Sequence, residues 1–378
     1  MLTQNGREPF FYGIIYACKN WNRQQNRRLH MAFDPQGLAT AIGSMPHTNP
    51  SDACDIILNA IPEIPIWPQL PNTNFREEME IQYSEGIPCV VLDEEKKRMY
   101  FQTEKDITSD FEVFYENYMA ENLEHFKISS EFSRGIYEME KKLTEKRPPN
   151  LRYFKSHVTG PITMGLGRVD ENKRAIYYND LFRDIIVKGI EMKARWVLDK
   201  FKFLGCKRIC FIDEPILSGF GSSTYVSLHR ADVVQYLNAV IQAIRKENAI
   251  SGIHCCGNTE WTILIDADVD VISFDAYEYA ETIAYYPNQV NGFLEKGGVL
   301  AWGIVPTSEK INVETAESLV KKLESSINNL AGKGINKNLI WEKCLITPSC
   351  GTGSLPADLS EKIFEQLTRV SQVARGAA

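Results

Sequence analysis

The feature that most constrains the fold is a repeated alternation of short apolar segments with longer segments of helical periodicity, starting near residue 39. The apolar segments are rich in Ile, Val and Phe. Seven of them are predicted strands: 40–44, 154–159, 208–213, 250–254, 269–275, 299–302 and 345–347. Between them, apolar residues three or four positions apart predict amphipathic helices. This alternation is typical of a parallel sheet covered by helices.

An eighth strand is predicted near 64–68, which would complete an α/β fold of the closed (β/α)8 TIM-barrel type. Residues 88–102 interrupt the pattern with two strand-like segments around a charged turn, and this predicts an inserted β-hairpin. Charged helical sequence follows. We expect one barrel domain over 36–378, with the hairpin and helices forming an elaboration over about 86–150, and a lead-in without clear periodicity over 1–35.

Composition and charge exclude several classes of function. Hydrophobic residues make up 44% of the chain and charged residues 24%, the usual balance of a globular protein. A net charge of −7 disfavours binding to nucleic acid. No apolar run reaches the roughly 18 to 20 residues of a membrane span, and no signal peptide is apparent. We expect a cytoplasmic protein with neither nucleic acid nor membrane as a partner.

Nine cysteines in a chain of this kind point to metal binding or reactivity more than to a disulfide framework. Several lie among apolar neighbours and are expected to pack as small hydrophobes: Cys54, Cys206, Cys210 and Cys344.

A candidate metal site follows two of the predicted strands. His254 and Cys256 are separated by one residue, so both side chains can turn to the same side of the sheet, while Cys255 should face the core. Cys350 follows another predicted strand. Two thiolates and an imidazole suit zinc, and a fourth position left to a weak ligand or water is typical of a catalytic site. The alternative is a packed thiol beside a hydrogen-bonded imidazole.

The sequence leaves three candidates for the fourth zinc ligand: Asp275, Glu278 and a water molecule. Asp275 ends a predicted strand and is preferred, while Glu278 lies one helical turn further on. Asp275 could instead cap the following helix.

Two further strand ends carry residues suited to an amino-acid ligand. In Asp213-Glu214, a carboxylate within a pocket would bind an ammonium, although a solvated surface pair is the alternative. Ser44 follows Ile42 and Gly43, and its hydroxyl beside exposed backbone N–H groups suits a carboxylate, although a simple turn would also explain it.

Seven motifs occur in order along the chain. They are 41–44, 76–79, 159–163, 212–215, 254–256, 266–275 and 348–351. Together they resemble the catalytic C-terminal half of cobalamin-independent methionine synthase, and more closely the short core proteins of that family, over about 39–375. The glycine after Cys256 resembles the methylcobamide:coenzyme M methyltransferases, which share the barrel and the zinc. Uroporphyrinogen decarboxylase-like enzymes share the architecture without the metal.

The resemblance implies roles for the candidate site residues. His254, Cys256 and Cys350 would bind zinc, with Asp275 standing where the family has Glu. Ser44 would help to hold the carboxylate of an amino acid, and Asp213 would hold its ammonium. We therefore expect Asp213 and His254 to be catalytic. The expected substrate-binding residues are Ile42, Gly43, Ser44, Asp213 and Glu214.

The chain also departs from the family at three places. The family's acidic residue before Arg-Xaa-Xaa-Met is replaced around 73–75, its proton-donating His is replaced within 302–306, and its folate-stacking Trp is absent from 163–167. Methyltetrahydrofolate needs acid assistance because its nitrogen is a poor leaving group, whereas a methylcorrinoid does not. These differences favour a corrinoid donor.

We therefore predict a zinc-dependent thiol methyltransferase that uses a methylated corrinoid, carried on a partner protein, to convert homocysteine into methionine. Alternatives are another acceptor thiol such as coenzyme M, or methyltetrahydrofolate as the donor. Further alternatives are a metal-free uroporphyrinogen decarboxylase-like enzyme, with Arg168 as a propionate ligand, and a non-catalytic zinc-binding member.

Overall fold

Six parallel strands form the main sheet in the computed structural model, which describes residues 33–225 and 227–377. The predicted lead-in, 1–35, therefore lies almost wholly outside the described residues. In sheet order the strands are β3 (Tyr153–Thr159), β5 (Lys207–Asp213), β6 (Ile250–Cys255), β7 (Val271–Phe274), β8 (Val299–Val305) and β9 (Cys344–Pro348). Helices connect successive strands, because parallel pairing requires a crossover.

Twelve α-helices lie within the described residues, and side chains cap the start of several of them. Their bounds are α1 Pro50–Ala60, α2 Thr108–Met119, α3 Arg134–Glu145, α4 Pro161–Gly167, α5 Asp180–Lys200, α6 Arg230–Lys246, α7 Thr262–Asp266, α8 Ala276–Ile283, α9 Pro287–Glu295, α10 Ala316–Gly332, α11 Lys337–Glu342 and α12 Ala357–Ala377. The side chains of Asn49, Asn179 and Thr315 accept backbone N–H groups at the starts of α1, α5 and α10. None of the described helices is long and apolar enough to cross a membrane.

The two faces of the main sheet carry separate cores because successive side chains of a strand point in opposite directions. On the outer face, Phe154, Ile212 and Ile253 join the large apolar cluster that includes the helices. On the inner face, Ile209 and Phe211 belong to a smaller cluster. The inner face is therefore apolar along the first part of the strands, and the inner-face residues nearer the carboxyl ends of the strands can be polar.

The prediction of a closed eight-stranded barrel is wrong. The main sheet has six continuous strands and forms a half-barrel. Segments 40–44 and 64–68, expected to complete it, contribute no continuous strand. Their region forms only isolated parallel bridges: Ala39 with Ile346, Ser44 with Gln69, and Ile66 with Lys155.

The local sequence gives a physical reason for these short pairings. Pro65 and Pro68 have no backbone N–H to donate, so a regular ladder cannot run through 64–68. Gly43 weakens the other segment, since it has no side chain to pack and loses more conformational freedom than other residues.

The predicted hairpin is present outside the main sheet. Strands β1 (Val90–Asp93) and β2 (Arg98–Phe101) pair antiparallel, and β4 (Val169–Asp170) adds to β2 in parallel. The hairpin therefore contacts the segment that follows α4.

Candidate functional site

The carboxyl ends of β6 and β9 bring one imidazole and two thiols together. The potential ligand atoms of His254, Cys256 and Cys350 all lie within 4.8 Å of one another. Within 33–225 and 227–377, no other group of His, Cys, Asp and Glu side chains meets this condition. Cys255 lies in the outer core and is fully buried, as the alternation of side chains requires.

Hydrogen bonding orients the imidazole of His254. Its Nδ1 lies 3.0 Å from the Oγ of Ser273, on the neighbouring strand β7. Its Nε2 is buried and has no hydrogen-bond partner within the described part of the chain. Metal-binding histidines commonly use one ring nitrogen as the ligand and fix the other with such a hydrogen bond. Nε2 is therefore the nitrogen available to a metal.

The two thiols lie close together and differ in acidity. The neighbouring Cys350 thiol and then the His254 imidazole lower the pKa of Cys256 to about 4, against the opposing effect of burial. The proximity of Cys256, together with burial, raises the pKa of Cys350. The pair therefore readily holds one negative charge, and the thiolate is the form of cysteine that binds metals. One imidazole and two thiols fit zinc better than they fit magnesium or calcium, which prefer oxygen ligands.

The two candidates for a fourth ligand lie outside this group. Asp275 is the N-cap residue that precedes α8, and its side chain accepts the backbone N–H of Glu278 at 2.9 Å. Burial raises the pKa of Asp275, while nearby His254 opposes that shift. Glu278 is exposed and forms an ion pair with Lys310. Asp275 thus caps a helix, as the alternative reading had it, and its role as a ligand stays a prediction.

Asp213 lies on the inner face beside the imidazole and the thiols. It ends β5 and is paired in register with Thr159 on one side and His254 on the other. The side chain is buried, and its Oδ1 has no hydrogen-bond partner among the described residues. Burial raises the pKa of Asp213 to about 6, although Lys155 and His254 oppose the shift. We call Asp213, His254, Cys256 and Cys350 the inner rim.

Glu214 was predicted to bind substrate, and its carboxylate accepts three hydrogen bonds from the start of α4. It accepts the backbone N–H groups of Ile162 at 2.9 Å and Thr163 at 2.8 Å, and the Thr163 hydroxyl at 2.6 Å. A Cβ at Gly160 would come within 2.0 Å of the carboxyl carbon, so glycine is required there. Burial raises the pKa of Glu214 to about 7. Glu214 therefore holds the first turn of α4.

Ser44 contacts the loop that follows Cys350. Its Oγ accepts the backbone N–H of Gly353 at 3.3 Å, and its carbonyl accepts that of Thr352 at 2.8 Å. A Cβ at Gly351 would lie 2.0 Å from the Ser44 Oγ. The predicted carboxylate-binding residue and the metal-ligand loop thus form one packed unit.

The two residues before Ser44 contact the inner face of β3. A Cβ at Gly43 would lie 2.8 Å from the ring of His157, so only glycine allows this approach. The carbonyl of Ile42 accepts a hydrogen bond from the Lys155 ammonium at 2.7 Å. The contribution of Ile42 is therefore a backbone group that positions a buried cation.

Sequence reasoning missed Lys155 and His157. Lys155 is fully buried, its Nζ lies 4.3 Å from the centre of the Phe211 ring, and burial lowers its pKa to about 8. His157 stacks on Trp67 at 3.8 Å, and neither ring nitrogen has a hydrogen-bond partner within 33–225 and 227–377. The signal that could have found them is the alternation of polar side chains along β3, which places Lys155 and His157 on the same face of the sheet.

Comparisons with known proteins leave the function open. No protein-family model matches this sequence, and no curated protein matches it. A structure from Anabaena variabilis assigned as a sugar phosphate isomerase/epimerase shares 10% identity, covering 89% of this chain and 98% of that chain, with a TM-score of 0.44. A modular endo-β-1,4-mannanase from Cellulomonas fimi shares 14% identity, covering 56% of this chain and 62% of that chain, with a TM-score of 0.26. TM-scores below 0.5 carry no argument about fold or reaction, and the methionine synthase resemblance stays a prediction.

Proposed function

We propose that this protein is a zinc-dependent thiol methyltransferase that transfers a methyl group from a methylated corrinoid to homocysteine. The single observation that carries the proposal is the meeting of His254, Cys256 and Cys350 within 4.8 Å. Buried Asp213, without a partner for one of its oxygens, supports it. Unsatisfied buried polar groups are rare in folded proteins, so the presence of Asp213 Oδ1 and His254 Nε2 at the ends of two paired strands favours a ligand site.

His254, Cys256 and Cys350 would hold the metal, and the Ser273 hydroxyl would keep the His254 ring in place. Bound zinc would supply the positive charge that lowers the pKa of a substrate thiol from about 8.5 and leaves it nucleophilic at neutral pH. Two thiolates offset much of that charge. The substrate sulfur therefore stays reactive toward a methyl group.

The charges near the inner rim suit a zwitterionic acceptor. Asp213 would bind the ammonium of homocysteine, because its free oxygen gains a charged hydrogen bond there. Lys155 is close enough to affect the pKa of Asp213, so charges of both signs lie on this face. A sulfonate thiol such as coenzyme M carries no ammonium and would leave Asp213 unpaired. Homocysteine is therefore the preferred acceptor.

The surroundings of β8 favour a donor that needs no protonation. The last residues of this strand and the residue after it are apolar and buried, including Ile304, Val305 and Pro306. None of these side chains can donate a proton to a departing nitrogen. A methylated corrinoid needs no such donor, since cobalt leaves as a stable low-valent ion.

The proposal is tested by incubating zinc-loaded protein and homocysteine with either methylcobalamin or methyltetrahydrofolate and measuring methionine. We expect methionine with methylcobalamin only. Turnover with the folate alone would contradict the corrinoid donor. Replacing homocysteine with coenzyme M tests the acceptor, and methylation of coenzyme M alone would reject homocysteine.

Adjacent cysteines provide a matched control. Cys256→Ala should remove both zinc and activity, whereas Cys255→Ala should keep both, because Cys255 faces the outer core. Zinc content and methionine formation are measured on both variants. If Cys256→Ala keeps its zinc and its activity, the metal assignment is wrong. Tight zinc binding without transfer to any thiol would indicate a non-catalytic protein.

A further inference from the structure

A cavity lined by cations lies between the hairpin and the segment that follows α4. Its volume is about 410 Å³, and its lining includes Lys97, Arg98, Arg168 and Lys173. This volume lies within the range of small-molecule sites. We call it the basic cavity. The metal-binding residues and Asp213 do not line it.

The acids at the basic cavity do not neutralise these cations. Asp170 and Glu171 also line it. However, Asp170 accepts two backbone N–H groups of its own turn. Glu171 accepts two backbone N–H groups and a hydroxyl from the segment that follows the hairpin. Both carboxylates are thus satisfied by backbone and hydroxyl donors. Two of the four lining cations do pair with acids: Arg98 with Asp93 and Arg168 with Glu80, neither of which lines the cavity.

Several donors of these cations have no partner in the part of the chain that the structure describes. Lys97 and Lys173 are exposed and make no ion pair with a described residue. Arg168 pairs with Glu80 through one terminal nitrogen at 2.6 Å, but its Nε is buried and lacks a partner. A buried guanidinium N–H without a partner costs free energy, which an anionic ligand would recover.

The backbone at both lysines is unfavourable for a lysine. Lys97 has a φ of 47° and Lys173 a φ of 64°, in the left-handed region that Gly and Asn adopt more easily. The two turns approach the same cavity. Lysine in both places keeps a cationic side chain at the cavity at the expense of local backbone preference, and this favours a role for the charge.

Helix α4 connects the basic cavity to the inner rim. Its first turn is held by Glu214, next to Asp213, and its last residue, Gly167, lines the cavity. Seven helical residues at about 1.5 Å per residue span about 10 Å. A ligand with one end at the inner rim and an anionic group about 10 Å away could reach both places.

We propose that the basic cavity binds the anionic part of the methyl donor while the methyl-bearing part lies at the inner rim. This inference rests on the proposed function. The ligand chemistry is an exposed oxyanion, which the phosphodiester of a corrinoid or the glutamate carboxylates of a folate would supply. Lys97, Lys173 and Arg168 provide the donors, and charged donors of this kind bind oxyanions well.

The test removes the two lysine charges without disturbing the turns. The variant is Lys97→Asn with Lys173→Asn, because Asn tolerates a positive φ. The matched control, Lys96→Asn with Arg174→Asn, removes the same charge from the same turns at residues that do not line the cavity. Calorimetry on the full-length, zinc-loaded protein measures Kd for methylcobalamin and for methylcobinamide, which lacks the phosphodiester. It also measures Kd for methyltetrahydrofolate with one or three glutamates.

We expect the Lys97 and Lys173 variant to bind either methylcobalamin or the triglutamate form of methyltetrahydrofolate about tenfold more weakly, as loss of two charge contacts predicts. Binding of the matching compound with fewer anionic groups, methylcobinamide or the monoglutamate, should be unchanged. A loss specific to methylcobalamin identifies the corrinoid, and a loss specific to the triglutamate identifies the folate. Both results support the inference.

Three results would overturn the inference: unchanged affinity for all four compounds, an equal loss in the control variant, or no binding of any compound by the parent protein. Methionine formation with unchanged affinities would leave the proposed function standing. Anion-dependent binding without methyl transfer to any thiol would support the basic cavity as a ligand site and contradict the proposed function. The two failures can therefore be told apart.

Discussion

Asp213 and Glu214 are adjacent in sequence, and both are buried, but the regions around them differ in the hydrogen-bond donors that they offer to the carboxylate. At the start of α4, the oxygens of Glu214 accept three hydrogen bonds. At the inner rim, one oxygen of Asp213 has no partner among the described residues, and neither does Nε2 of His254. Burial raises the pKa of both acids. Burial alone therefore does not separate a structural acid from a functional one.

The difference lies in which partners the fold provides. A carboxylate that accepts backbone N–H groups completes a helix terminus, where four such groups lack helical partners. A carboxylate left without partners costs stability and is kept where a ligand can pair with it. The inner rim should therefore contribute to binding at the expense of stability, and the start of α4 should contribute to stability alone.

The largest expected effect is on metal binding at the inner rim. Cys350→Ala should weaken zinc binding by at least about a thousandfold, since one of a few ligands contributes several kcal/mol. Competition with a coloured zinc chelator measures the affinity. Cys344→Ala is the control, because Cys344 is fully buried in the outer core. Equal zinc affinity in both variants would contradict the ligand role of Cys350.

Removing the structural acid should destabilise the fold. Glu214→Ala leaves two backbone N–H groups and one hydroxyl without their acceptor, and the unfolding free energy should fall by about 3 kcal/mol. Urea unfolding followed by circular dichroism measures this change. A stable variant that has lost homocysteine binding would instead place Glu214 among the substrate-binding residues.

Replacing Asp213, the neighbour of Glu214, should instead stabilise the fold. The pKa of Asp213 is about 6 in the folded protein, above its usual 3.8, so its contribution to stability is present below pH 3.8 and lost as pH rises through 6. In the zinc-free protein, Asp213→Asn should therefore raise the unfolding free energy by about 2 kcal/mol at pH 8. Urea unfolding should show this gain vanish near pH 4.

The same substitution should weaken function, because an amide cannot pair with an ammonium as a carboxylate does. Methionine formation by Asp213→Asn should fall while zinc content stays unchanged. A variant that is less stable at pH 8 would show that Asp213 is satisfied by partners, as Glu214 is, and would remove the contrast between the two regions.

The smallest expected effect concerns the support of the His254 ring. Ser273→Ala removes the hydroxyl that lies 3.0 Å from Nδ1, and zinc affinity should fall about tenfold. Ser251→Ala on β6 serves as a control, because Ser251 bonds Asp270 and not a metal-site residue. Equal zinc affinity in the two variants would mean that the Ser273 contact does not tune the metal site.

Local patterns predicted much of the fold and the central part of the site. Apolar runs located all six strands of the main sheet to within a few residues, since a fully buried parallel strand must be almost continuously apolar. The one-residue spacing of His254 and Cys256 predicted a common side, because strand geometry alone determines it. The paired segments around the charged turn predicted the hairpin in the same way.

Long-range partners were beyond the reach of local patterns. Segments 40–44 and 64–68 have strand-like composition, but their pairing depends on donors and neighbours far away in the chain, and only isolated bridges form. Lys155 was missed because its acceptor, the carbonyl of Ile42, lies 113 positions away. The hydrogen bonds of Glu214 were not foreseen because its three donors lie in α4, about 50 positions earlier in the chain.

The sequence by itself determined the alternation of elements, the side of the strand on which His254, Cys256 and Asp213 lie, and the availability of zinc-binding chemistry. Cys350 was already expected beside His254 and Cys256. Only the tertiary structure decided that Asp213 is left with an unpaired oxygen and that Glu214 is not. The physical reason is that side-chain direction is a local property of the backbone. The satisfaction of a buried polar group is instead a property of every segment that packs against it.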